Sequence, residues 1–224
     1  MGFSNSRLSP LQRRVLEAFR DVEGVWLTGG AALGGFHLGH RGSKDLDFFT
    51  AQGEQLDELG SRLRQWCAEE NVQLVAVQTF PGFRRVRVWT DDDETLVDLV
   101  HETATQIVPL ADKPVVDGIR VDPLLEIRAN KIAALLGRAE TKDLLDLYFL
   151  QQNGLDPVDG IVDAQEKDGG LDTATLAWVL SSMHLDLEGL TLHVSLALPD
   201  LERFRSEFVA SLQKLSWPSS EGDQ

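Results

Sequence analysis

Apolar positions recur at helical spacing in residues 6–20, where Leu11, Val15, Leu16 and Phe19 fall on one stripe. The short apolar run Val25-Trp26-Leu27 then predicts a strand. Gly29-Gly30 breaks it, and Ala31-Ala32-Leu33 opens a helix. Residues 44–49 alternate polar and apolar and predict a second strand. Residues 54–70 place Leu56, Leu59, Leu63 and Trp66 on one side of an amphipathic helix. Three strand-like runs follow, at 72–80, 83–90 and 95–101. Pro81-Gly82 marks the first turn between them and Asp91–Glu94 the second, so neighbouring strands should pair antiparallel as a meander. Asp117-Gly118 centres a shorter hairpin at 114–121.

From Asp122 the pattern changes. Asp122-Pro123 is a helix start with proline at the first helical position. Residues 123–136 and 141–152 read as helices. Residues 157–213 are mostly helical, with Gly- and Asp-rich breaks at 168–172 and 186–190, and 192–198 is extended. The closing WPSSEGDQ reads as a frayed tail. The expected architecture is α+β: a mixed β-sheet with flanking helices in a core at 1–121, followed by a helical C-terminal domain at 122–224.

Composition narrows the class. With 42% hydrophobic and 25% charged residues, the chain has material for a sizeable core. No apolar run approaches the ~18 residues that span a bilayer. The opening MGFSNSRLSP lacks the apolar stretch of a secretory signal. The single cysteine, Cys67, excludes an intramolecular disulfide and a cysteine-based zinc site. A cytoplasmic protein is expected. The net charge is −15, and residues 151–224 contribute −9 of it. A general nucleic-acid coat is thereby excluded, because phosphate binding needs basic surface, while a local basic site stays open.

The chemistry concentrates in two places. Asp45 and Asp47 are two apart in a predicted strand and so share a face, while Leu46 and Phe48 turn to the core. Carboxylates at close range repel, and a divalent cation removes that penalty. Mg²⁺ suits such a site, because it takes few protein carboxylates and completes its shell with substrate phosphates. Asp98, between apolar residues of a later strand, is costly to bury without a partner, and metal ligation would explain it. Three carboxylates on adjacent strands fit two-metal phosphoryl transfer. Gly29-Gly30, between strand and helix, lets backbone amides approach a phosphate.

These residues resemble a known family. The patterns Gly29-Gly30-Ala31-Ala32-Leu33 and Arg41-x-Ser43-x-Asp45-Leu46-Asp47-Phe48 look like the first motif of the nucleotidyltransferase superfamily with a polymerase-beta-type core. The form is similar to the AbiEii/MenT-like toxins of bacterial abortive-infection and toxin–antitoxin systems. Those proteins also carry a helical motif K-x6-R-x3-[RK]-D-x2-D, matched here by Lys131, Arg138, Lys142, Asp143 and Asp146. The resemblance runs over roughly residues 25–150. It implies that Gly29, Gly30 and Ser43 border a nucleoside triphosphate and that Asp45 and Asp47 hold Mg²⁺ or Mn²⁺. Asp98 would be the third metal-site carboxylate, which activates the acceptor hydroxyl in many members. Lys131 would contact the triphosphate, and Arg138, Asp143 and Asp146 would shape the nucleotide pocket. The chain departs from the family in having Gly-Gly where Gly-Ser is usual in the superfamily, and Lys142 where Arg is usual.

The implied activity is transfer of a nucleoside monophosphate from an NTP to an acceptor hydroxyl, with release of pyrophosphate. The acceptor implied by the toxin branch is the 3′ end of tRNA. A cognate antitoxin would meet an acidic surface, except at a basic site mouth. An aminoglycoside nucleotidyltransferase is the alternative enzyme, since an acidic chain attracts a cationic drug. A non-catalytic nucleotide-binding module is the alternative of another class.

Spacing supports the helical motif independently: Lys131 and Arg138 are two turns apart and share a helix face, and Asp143 and Asp146 share another. Plainer readings compete elsewhere. His37 and His40 read as a helix-end feature, and Cys67 as a small core residue. Arg85 and Arg87 share a strand face near Trp89; a solvated sheet face competes there with contact to a nucleic-acid acceptor.

Overall fold

A computed structural model describes residues 7–217. The first six residues, and residues 218–224 of the expected frayed tail, lie outside the described residues. The chain divides into two compact units. Among the described residues, one unit takes in 7–104, with Val108–Pro123 and Thr191–His193; the other takes in Thr105–Ile107, Leu124–Leu190 and 194–217.

The first unit is built on a five-stranded mixed sheet. Its strands are β1 (Val25–Thr28), β2 (Asp45–Thr50), β3 (Gln73–Phe80), β4 (Phe83–Trp89) and β5 (Glu94–His101), in the order β1-β2-β5-β4-β3. β2 and β5 run parallel, and every other neighbouring pair is antiparallel. Two helices cover one face. Helix α1 (Pro10–Glu17) starts on a capping box in which Ser9 and Gln12 satisfy each other's backbone amides. It buries Leu11, Val15 and Leu16. Helix α3 (Gln55–Glu69) buries Leu56, Leu59, Leu63 and Cys67 on one stripe. Trp66 sits at the margin of that stripe, half-buried, with the Arg14 guanidinium 5.9 Å from its ring centre. Alternate residues of β2 face this layer: Leu46 and Phe48 are buried, and Phe48 stacks on Phe19 at 4.0 Å. The hairpin of β6 (Val115–Val116) and β7 (Ile119–Arg120) turns at Asp117-Gly118 as expected, with both residues at positive φ.

Helix α2 (Gly29–Ala32) begins at the glycine pair itself, two residues earlier than its sequence suggests. It runs on into a π-helical turn at Leu33–His37.

The second unit is helical: α4 (Leu124–Arg138), α5 (Thr141–Gln152), α6 (Ile161–Lys167), α7 (Thr173–Ser182) and α8 (Leu198–Ser216). The break after α6 falls at 168–172, as expected. The break after α7 is longer than expected and takes in the whole stretch 183–197. The predicted extended segment at 192–198 forms no strand. Leu192 makes an isolated antiparallel bridge to Arg41, and Leu198 already belongs to α8. Among the described residues, no helix is long and apolar enough to cross a membrane.

Candidate active site

Strand register assembles the acidic residues. Thr28 lies opposite Asp47, Asp47 opposite Asp98, and Asp98 opposite Arg85. Residues directly opposite in a sheet share a face, so these four form one row across β1, β2, β5 and β4. Asp45 stands on the same face, two residues before Asp47. The buried residues Leu46, Phe48, Val97 and Leu99 occupy the other face. Hydrophobic alternation thus drives the acids outward, while the parallel β2·β5 pairing brings two of them side by side.

The glycine pair sets the rim. Gly29 adopts φ +69°, and a Cβ there would lie 2.3 Å from Oδ2 of Asp47. Only glycine tolerates both the conformation and the approach. At Gly30 a Cβ would come within 2.9 Å of both the Arg41 guanidinium and the Ser43 hydroxyl. Ser43 is therefore brought to Gly30, and Arg41 stands with it. Arg41 is buried, and its Nη1 donates to the Gly42 carbonyl at 2.8 Å. The segment is pinned by Gly42 N–H donating to the Thr191 carbonyl and His193 N–H donating to the His40 carbonyl.

Asp98 has an arginine partner in the next strand. Arg85 donates from Nε to Oδ1 at 2.8 Å and from Nη2 to Oδ2 at 2.6 Å, so both oxygens of this carboxylate are engaged by one guanidinium. Among the described residues, no three His, Cys, Asp or Glu side chains are grouped to hold a metal ion. Asp45, Asp47 and Asp98 share one sheet face, and Arg85 orients the Asp98 carboxylate. The Asp98 hydrogen bond raises the Arg85 pKa further above its ordinary value against the opposing effect of burial, and the charges of Asp98, Asp45 and Asp47 add to it. A fixed positive charge thus stands at the end of the acid row.

His37 is not part of this arrangement. Its Nε2 lies 2.8 Å from the Asp122 carbonyl oxygen, and burial lowers its pKa despite that hydrogen bond. The helix-end reading fits it.

In the helical unit, Lys131, Arg138, Asp143 and Asp146 come together as a charge knot. Lys131 Nζ is 2.8 Å from Asp143 and 2.6 Å from Asp146, and all three side chains are buried. Arg138 donates from Nε and Nη2 to both oxygens of Asp143, each at 2.8 Å. Burial pushes the Asp143 carboxyl up, but the Lys131 charge and the Arg138 hydrogen bonds outweigh it and hold the pKa below the usual carboxylate range. Lys142, where the family has Arg, pairs at 2.8 Å with Glu140, whose same carboxylate oxygen lies 3.5 Å from Arg138 Nε. Both cations are thus paired with carboxylates of α5.

Arg41 and the pairing role of Arg85 were missed from sequence. Arg41 carried a signal, because it shares the alternating register of Ser43, Asp45 and Asp47. The symmetry of the β4–β5 hairpin carried the other, because a turn centred between Asp91 and Asp92 puts residue 85 opposite 98.

A mixed sheet with paired acids beside a glycine turn is the scaffold of a nucleotidyltransferase. The model of the family described as "Nucleotidyl transferase AbiEii toxin, Type IV TA system" matches residues 13–219, and the chain belongs to that family. It is accordingly a nucleotidyltransferase, a transferase of nucleoside monophosphates. Two solved structures have a similar fold. A "putative nucleotidyltransferase from H. pylori" matches at a TM-score of 0.59 and 21% identity, over 96% of this chain and 95% of that one. JHP933 from Helicobacter pylori matches at a TM-score of 0.59 and 21% identity, over 92% of this chain and 89% of that one. No curated protein matches the sequence.

Proposed function

We propose that the chain transfers a nucleoside monophosphate from an NTP to the 3′-terminal hydroxyl of tRNA, with a divalent cation, as the toxin of a toxin–antitoxin pair. One observation carries the reading: Asp45, Asp47 and Asp98 share a sheet face on adjacent strands, against a glycine that leaves room for the Asp47 carboxylate. The donor set suits a hard cation. Asp45 and Asp47 offer two carboxylates from one rigid strand, and Mg²⁺ or Mn²⁺ takes its further ligands from water and phosphate. Such an ion, when bound, supplies charge neutralisation at the triphosphate.

The chain's own groups do the rest. Gly29, Gly30 and Ser43 border the triphosphate, and Arg41 adds a positive charge over Gly30. Asp98, held in one orientation by Arg85, accepts the hydrogen bond of the acceptor hydroxyl and then its proton. In the helical unit, Arg138 is the exposed cation of the knot, its side chain being 47% exposed. Lys131 supports it by fixing Asp143, and Asp146 fixes Lys131. Catalysis in this scheme is positioning and electrostatics.

The test incubates the protein with each α-labelled NTP and Mg²⁺, Mn²⁺ or chelator, offering total tRNA, an aminoglycoside panel or no acceptor. Cation-dependent label on tRNA, lost in Asp47→Ala, is the expected result. Label on a drug would replace the tRNA reading with antibiotic modification. Absence of both transfer and NTP binding would overturn the proposal.

A further inference from the structure

We propose that the outward stripe of β4, Phe83–Arg85–Arg87–Trp89 with Phe80 at its edge, is the surface on which the unpaired 3′ end of an RNA acceptor lands. The inference rests on the nucleotidyltransfer reading above and adds the place and chemistry of acceptor recognition.

Residues 83, 85, 87 and 89 alternate along β4, so they share one face. That face is the acid face, because Arg85 is opposite Asp98 and bonded to it. The intervening residues turn the other way: Val88 is buried, and Arg84 bonds to Asp57 on α3. The stripe therefore reads aromatic, cation, cation, aromatic. Each guanidinium stands by a ring, Arg85 at 5.6 Å from the Phe83 centroid and Arg87 at 5.2 Å from that of Trp89. On the edge strand, Phe80 lies opposite Phe83 and stacks on it at 6.4 Å, yet remains 56% exposed.

Three aromatic rings and two arginines on one strand-pair face are poorly explained as a solvated sheet surface, where apolar area gains nothing. Unpaired nucleotides use both kinds of group: bases stack on aromatic rings and guanidinium planes, and phosphates meet arginine. Charge points the same way. The chain carries a net −15, yet β4 has arginine at three of four consecutive positions, 84–87. Arg87 pairs with Glu94 at an exposed position, a contact that a phosphate can displace at little cost.

Position along the row completes the argument. The glycine rim lies at the β1–β2 end and the stripe at the β4–β3 end, with Asp98 between them. A strand end stacked on β4 would bring its terminal hydroxyl to Asp98 from the side opposite the triphosphate.

The experiment measures binding of a short single-stranded RNA, fluorescently labelled at its 5′ end, by anisotropy, with a blunt RNA duplex as comparison. NTP binding and melting temperature are recorded for every variant. Trp89→Ala and Arg87→Gln should each weaken the single strand at least about fivefold, the lower bound for losing one stacked base, while NTP binding stays unchanged. Trp89→Phe should retain most affinity, and Glu94→Gln should raise it by freeing Arg87. Folded Trp89→Ala and Arg87→Gln variants that bind like wild type would overturn the proposal, as would preference for the duplex. Wild type that binds NTP but no single strand would overturn it and leave the nucleotidyltransfer reading standing; wild type that binds neither would remove both.

Discussion

Replacing Arg85 with Met isolates the ion pair that closes the acid row. Met keeps the length of the stem and removes the guanidinium. Asp98 is left with its side chain 6% exposed and without the two charge-assisted hydrogen bonds it now accepts. Breaking a fully buried pair costs about 3–5 kcal/mol, because an uncompensated charge remains. Arg85 is 32% exposed, so water can reach part of the site, and the cost is discounted to about 2 kcal/mol. At this chain length that corresponds to a fall in melting temperature of roughly 4–8 °C. Scanning calorimetry of wild type, Arg85→Met, Asp98→Leu and the double variant gives a complete cycle. The double variant should recover most of the loss, because an apolar pair buries no charge. Simple additivity of the two single losses, or an Arg85→Met loss under about 0.5 kcal/mol, would refute the account of Arg85 as the counter-charge of Asp98.

Gly29→Ala places a methyl where Asp47 Oδ2 now lies and forces a non-glycine residue to φ +69°; transfer activity should fall at least tenfold in a protein whose circular dichroism is nearly native. Asp143 has a lowered folded-state pKa, so its stabilisation is fully present above the ordinary carboxylate pKa and is lost as pH falls through the folded value. Asp143→Asn should therefore be clearly less stable than wild type to urea at pH 7, with the gap closing toward pH 3; a gap independent of pH would count against the knot. The Cys67 thiol, buried and pushed up to about 11, should resist a thiol reagent at pH 8 in the native protein and react at once in denaturant, and fast native labelling would contradict that burial.

The periodicities were easily read, because each encodes a face. Alternation in Asp45–Thr50 separates acids from core within six residues, and the stripe of α3 fixes which side of the sheet is covered. Strand order was not so legible. Nothing local says that β2 pairs in parallel with β5, because that contact joins segments with α3, β3 and β4 between them. The fate of Lys131 was hidden for a related reason. Helical spacing puts Lys131 and Arg138 on one face, but which group meets that face depends on how α5 folds back. There the two Asp side chains of the same motif fill the space in front of them. Asp98 shows the same limit, since a lone buried carboxylate signals a partner without saying whether it is a metal or an arginine.

The parallel β2·β5 pairing also sets when the site can exist during folding. The β3–β4–β5 meander has short turns and can form early from local contacts, and with it the Arg85–Asp98 pair. Asp45 and Asp47 join that pair only after a long loop has closed and β2 has docked along β5, the step with the largest entropic cost. A chain arrested at the meander would thus already hold the Arg85–Asp98 pair while lacking Asp45 and Asp47 beside it. The acid row across β2 and β5 therefore exists only once that long loop has closed.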